Sequence, residues 1–151
     1  MKRLILILFM AACSFKPIFS GDNTDVYVAP ISGINGIELR NSLNNQFGGA
    51  HDKNARYTLT VDLKNPTTQY KALDKTGAAT WQEVRLNASY ELKEGDKVIA
   101  SGSERAAESY TFVQYLVASN ASYNNAIMNA INVLSDKISM RVITETQKQK
   151  K

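Results

Sequence analysis

Cys13 is the only cysteine in the chain and His51 the only histidine, so thiol and metal chemistry have little to draw on. Cys13 follows Met10-Ala11-Ala12, a setting of small residues behind an apolar run that suits a lipid acceptor rather than a nucleophile. His51 stands in Gly48-Gly49-Ala50-His51-Asp52-Lys53-Asn54, where a lone imidazole beside an aspartate reads as a solvated turn residue more readily than as a base. A structural zinc site lacks ligands. Glu83, Glu91, Glu94 and Glu104 fall on solvent-side or turn positions with no partner that spacing supplies, and Glu108 is no better placed. Gly33, Gly36, Gly48 and Gly49 do not match the spacings that cradle phosphates. A small periplasmic hydrolase would need a base and a nucleophile that these residues do not provide, and the chain reads as a non-enzyme.

Binding chemistry is better represented. Lys64, Tyr70, Lys71, Lys75, Trp81 and Arg85 combine cations with aromatic surface in one stretch, a mixture that suits an anionic amphiphile such as a phosphorylated glycolipid. Lys64, Lys71, Lys75 and Arg85 are the candidate ligand-binding residues. The plainer alternative leaves the lysines solvated and turns Trp81 inward as a core anchor.

Lys2 and Arg3 precede the apolar run Leu4 to Ala12, which ends at Cys13. This is the pattern of a lipoprotein export signal over residues 1–12, with Cys13 as the lipidated first residue of the mature chain. The expected modification is a diacylglycerol and an N-acyl chain on Cys13, with no other cofactor. An uncleaved membrane helix would need about 20 apolar residues, whereas this run is followed by Lys16, Pro17, Gly21 and Asp22. The remaining alternative is a buried N-terminal strand. With its one cysteine at the lipid site, the exported part cannot form an internal disulfide, even in a compartment that permits them. The formal charge of +4 owes much to Lys2, Arg3 and the terminal Lys148, Lys150 and Lys151. The folded body is nearly neutral, and nucleic acid is not expected as a partner.

The elements that must position these residues follow from period and punctuation. Residues 13–25 suit a polar tether, residues 26–146 a single domain, and residues 147–151 a solvated basic tail. Val26 to Ile31 is strand-like, with Pro30 favouring an edge or a strand end. Leu39, Leu43 and Phe47 recur every four residues before Gly48-Gly49, marking a short helix. Tyr57, Leu59, Val61 and Leu63 alternate with Thr58, Thr60 and Asp62, a half-buried strand. Lys64 to Thr80 reads as a long loop. Val84, Leu86, Ala88, Tyr90 and Leu92 resume the alternation, and Glu94-Gly95-Asp96 turns the chain into an antiparallel partner from Lys97 to Ala106.

Ile127, Ile131, Leu134, Ile138 and Val142 mark a long C-terminal helix. Tyr115, Ala118, Ala121, Ser122, Ala126 and Ala130 would extend it backwards close against the sheet. The expected fold is α/β (α+β): a two-layer sandwich in the order β-α-β-β-β-α, with a four-stranded, mainly antiparallel sheet and both helices on one face. Thr58, Thr60, Asp62, Arg85, Asn87, Ser89, Ser101 and Ser103 would line the other face.

Taken in order, Met10-Ala11-Ala12-Cys13-Ser14-Phe15-Lys16-Pro17, Ile37-Glu38-Leu39-Arg40-Asn41-Ser42-Leu43, Arg56-Tyr57-Thr58-Leu59-Thr60-Val61, and Gly102-Ser103-Glu104-Arg105 with Ser109-Tyr110 resemble the marks of the lipopolysaccharide-assembly lipoprotein family, LptE. Ser14 replaces the family's common Gly after the cysteine. The absence of Asp there is what outer-membrane sorting implies for such lipoproteins. The resemblance covers the whole chain. It implies a non-enzymatic, lipid-anchored protein on the periplasmic face of the outer membrane. Such a protein binds an LptD-like barrel as a plug and helps to place lipopolysaccharide in the outer leaflet. The rival expectation is an auxiliary lipoprotein of another envelope lipid-transport system, binding phospholipid or bridging to an ABC transporter.

Overall fold

The computed structural model describes residues 24–73, 75, 79–111 and 115–149. The expected export signal (residues 1–12) and the expected lipid acceptor Cys13 lie outside them. Five strands and two helices follow in the order β1 (Val26–Val28), α1 (Ile34–Gln46), β2 (Tyr57–Leu63), β3 (Thr67–Leu73), β4 (Ala79–Glu94), β5 (Lys97–Thr111) and α2 (Leu116–Lys148). Both helices pack on one face of a mixed sheet, the α+β architecture expected from the patterning.

β1 is short and lies at an edge, parallel to β2 with Val26 opposite Tyr57, and Pro30 falls just past its end. α1 then crosses over the sheet. Its Leu39 and Leu43, with Phe47 just past its end, are buried, while Arg40 Nε donates to the Val28 carbonyl at 2.9 Å and ties the helix to β1. The Leu-Arg-Asn-x-Leu segment therefore has a packing role in its leucines and a tethering role in its arginine.

The stretch expected as a loop from Lys64 to Thr80 is mostly strand, which corrects that expectation. β2 pairs with β4 from Tyr57–Glu94 to Leu63–Ala88, and β3 continues along the same edge of β4 from Thr67–Arg85 to Leu73–Ala79. Lys64 N–H donates to the Asn87 carbonyl at 2.9 Å. Asn65 and Pro66 then stand opposite the single residue Leu86, the two-against-one count of a β-bulge. β2 and β3 thus form one interrupted arm, so that four lines of chain cross the sheet: β1, β2 with β3, β4, and β5. Alternation could not reveal β3 because every one of its residues is exposed.

β4 and β5 form a long hairpin around Gly95, whose φ of 57° lies in the left-handed region that glycine adopts at little cost. Val84, Leu86, Ala88, Tyr90 and Leu92 face the helices and are buried, as are Ile127, Ile131, Leu134, Ile138 and Val142 from α2. α2 continues through Lys148, into the segment read as a tail. At its other end the expectation of close packing fails: Ala118 and Ala121 are exposed, and burial begins in earnest only at Ala126 and Ile127. No described helix is long and apolar enough to cross a membrane.

Candidate ligand- and partner-binding face

The sheet face away from the helices is polar over most of its length, from the hairpin end to Glu83. Thr58, Thr60 and Asp62 from β2, the odd-numbered residues of β4 and the odd-numbered residues of β5 from Ser101 onward share it by strand parity. The residues expected on this face from the sequence all lie on it.

At its centre, Glu83 joins two of the predicted cations. Arg85 Nε lies 2.6 Å from Glu83 Oε1, and Lys71 Nζ lies 3.1 Å from Glu83 Oε2. The Arg85 hydrogen bond, followed by that of Lys71, holds the Glu83 carboxyl below its ordinary value. Lys64 is apart from this trio, with its ammonium 2.6 Å from Asp62 at the β2–β3 junction. Lys75 is exposed in the turn between β3 and β4. The structure therefore brings together Lys71 and Arg85, and sets Lys64 and Lys75 to either side.

Arg105 belongs to the same face and escaped the sequence reading. It pairs across β5–β4 with Asn87, and its Nε donates to Asn87 Oδ1 at 3.0 Å. A neutral partner leaves its charge uncancelled. Lys71 and Arg85 share a single carboxylate, so the middle of the face carries surplus positive charge from that trio and from Arg105. The signal was present in the sequence: Arg105 continues the Ser101, Ser103 alternation on the polar side.

Beyond this centre the β3–β4–β5 arm ends in an apolar tip. Trp81 sits on the open face opposite Thr111 and is 54% exposed, so it is not the core anchor of the alternative reading. Tyr70, Leu73, Tyr115, Leu116 and Val117 are also exposed at this end. Gln82 and Tyr110 tie the arm to the helix layer: the Tyr110 hydroxyl donates to Gln82 Oε1 at 2.6 Å, and its ring meets Tyr123 of α2 edge-on at 5.5 Å. Burial raises the Tyr110 phenol above its ordinary pKa.

His51 is more engaged than a solvated turn residue. Its side chain is 16% exposed, with Nδ1 3.8 Å from Asp25 and Nε2 3.4 Å from the Phe47 carbonyl. It braces the entry to β1 against the end of α1. Among the described residues, no group of three or more His, Cys, Asp or Glu is arranged to hold a metal.

No protein-family model and no curated protein matches this chain. Solved structures do share its fold. A Caulobacter crescentus CB15 protein described as a lipoprotein superposes with a TM-score of 0.70 at 17% identity, over 83% of this chain and 93% of that one. Lipoprotein B from Nitrosomonas europaea gives 0.64 at 11% identity, over 84% and 90%. Rare lipoprotein B from Shewanella oneidensis gives 0.61 at 10% identity, over 82% and 96%. The architecture is thus one found in bacterial lipoproteins, with nearly the full length of each neighbour represented.

Proposed function

We propose that this chain is a lipid-anchored outer-membrane protein that partners an LptD-like barrel as a plug and assists the placement of lipopolysaccharide in the outer leaflet. It acts by shape and binding, not by catalysis. The observation that carries this reading is the long hydrated face, with Lys71, Arg85 and Arg105 at its centre and an apolar tip at one end. Many modest polar contacts suit the lumen of a barrel, and surplus cations beside aromatic surface suit a phosphorylated amphiphile. The lipid signal at Cys13 and the fold shared with rare lipoprotein B support the same reading.

The described chain enters at Thr24, near the Gly95 turn, whereas Trp81 lies thirteen residues back along β4 from Glu94. At about 3.3 Å per residue the tip stands about 40 Å from the end of the sheet where the described chain begins.

The test is co-purification of the tagged full chain from detergent-solubilised outer membrane. Recovery of a large barrel protein supports assembly. Recovery of transporter subunits alone would instead favour the auxiliary lipid-transport lipoprotein. Lipopolysaccharide binding should fall when Lys71, Arg85 and Arg105 are neutralised together, and unchanged binding would remove these residues from the proposal.

A further inference from the structure

Among the described residues β5 has a sheet partner on one side only, and the direction of its backbone groups can be deduced. The Asn87 carbonyl accepts from Lys64 N–H, so Asn87 turns its backbone toward β2 and away from β5. Arg105, its cross-strand neighbour, occupies a non-hydrogen-bonded pair, and its own N–H and C=O point outward. The register is uninterrupted from Thr111 back to Ala100, so Ser101 and Ser103 point outward as well.

The edge is closed at one place. Lys137 of α2 donates from Nζ to the Arg105 carbonyl at 2.6 Å, occupying the acceptor that a further strand would need. From Ser103 toward the hairpin end the edge instead opens on a cavity of about 460 Å³, lined by residues 99–104 in unbroken succession with Tyr90, Arg141 and Glu145. Side chains of successive strand residues point to opposite faces. A cavity touching six in a row therefore runs along the strand's edge, beside the outward groups of Ser101 and Ser103.

The floor is built around Gly102. A Cβ there would lie 2.8 Å from Tyr90 Oη, so only glycine lets the Tyr90 phenol rest against the strand. Of the three charged groups lining the cavity, Arg141 is the most exposed: its side chain is 70% exposed and 3.5 Å from Glu104, which is itself 20% exposed. Glu145 is 30% exposed and is engaged by Lys148 at 2.7 Å.

We infer that the β5 edge at Ser101–Ser103 is a docking site for an extended segment of another protein. The segment adds to the sheet as a short strand and presents an acidic side chain to Arg141. Backbone pairing with Ser101 and Ser103 supplies the fit, Arg141 selects the charge, and Lys137 stops the added strand from running past Arg105. The site is on the hairpin end of the molecule, away from the apolar tip, and does not depend on the lipopolysaccharide reading.

The test is amide hydrogen exchange of the full chain in detergent, with the capped pentapeptide Thr-Thr-Glu-Thr-Thr as probe. The Ser101 and Ser103 amides, open in the free protein, should gain protection. The same peptide with Lys at its centre should bind about two- to fivefold more weakly, the range of an exposed ion pair. Ser103→Pro deletes an outward N–H that the sheet does not use, and should abolish protection while leaving the melting temperature nearly unchanged. Should that variant fail to fold, Arg141→Ala should equalise the two peptides. Protection appearing along Thr67–Leu73 instead, or no protection at the highest soluble peptide concentration, would overturn the proposal.

Discussion

Gly36→Ala sets two effects of similar size against each other. Alanine is favoured over glycine inside a helix by about 1 kcal/mol, and on propensity alone the substitution should stabilise α1. But a Cβ at position 36 would meet Ile31 Cγ2 at 2.8 Å and the Ile31 carbonyl carbon and oxygen at 2.9 Å, against ordinary carbon contacts of about 3.5–4.0 Å. Overpacking costs about 1–3 kcal/mol. Two of the three clashing atoms are backbone, which cannot rotate aside, so the upper part of that range applies. The net expectation is a loss of roughly 1–2 kcal/mol, or a fall in Tm of roughly 2–8 °C for a chain of this size. Urea denaturation of the full chain followed by circular dichroism measures it. Combining the change with Ile31→Ala removes the Cγ2 contact but not the backbone contacts, so most of the penalty from Gly36→Ala should persist there. Neutral or stabilising behaviour, or full rescue by Ile31→Ala, would refute the close approach of α1 to the end of the first strand.

Leu134→Ala removes a fully buried side chain of α2 and should cost about 2–5 kcal/mol in urea unfolding. Glu83→Gln should flatten part of the acid limb of the stability curve. The Glu83 carboxyl is depressed from 4.5 in the folded state, so its contribution is complete above that value and is lost as pH falls through the folded pKa beneath it. The same variant frees Lys71 and Arg85 from their shared carboxylate and should strengthen binding of an anionic amphiphile, measured by titration with lipopolysaccharide. Amide exchange should be faster in Thr67–Leu73, where every residue is exposed, than in Leu86–Leu92, where the helix-facing side chains are buried.

What could be read in the sequence was whatever burial had imprinted on it. Tyr57, Leu59 and Val61, the even-numbered residues of β4 from Val84 to Leu92 and the apolar stripe of α2 touch the core, and their periods declare the elements. β3 has no buried residue, so Thr67-Thr68-Gln69-Tyr70-Lys71-Ala72-Leu73 carries no period and resembles loop. α2 does extend back to Leu116 as its small residues suggest, but Ala118 and Ala121 do not pack, because small residues are compatible with close packing without requiring it. Arg85 was legible on the polar face by alternation alone. The association of Lys71 with Glu83 was not, because it depends on a strand that left no trace and on a register shift between Tyr70 and Ala72.

The same arm explains how charge and apolar surface come to coexist outside the core. From Leu86 to Leu92 the sheet has a buried side, and its open side can be polar without cost to stability. Past Arg85 the helix layer thins, and β3 gains little from burial. What holds it is the backbone ladder to β4 and the Lys71–Glu83–Arg85 trio. The trio is polar and exchangeable. An anionic partner that draws Lys71 or Arg85 from Glu83 would therefore also loosen the strand bearing Tyr70 and Leu73, so binding at the charged centre and movement of the apolar tip are physically linked through a single carboxylate.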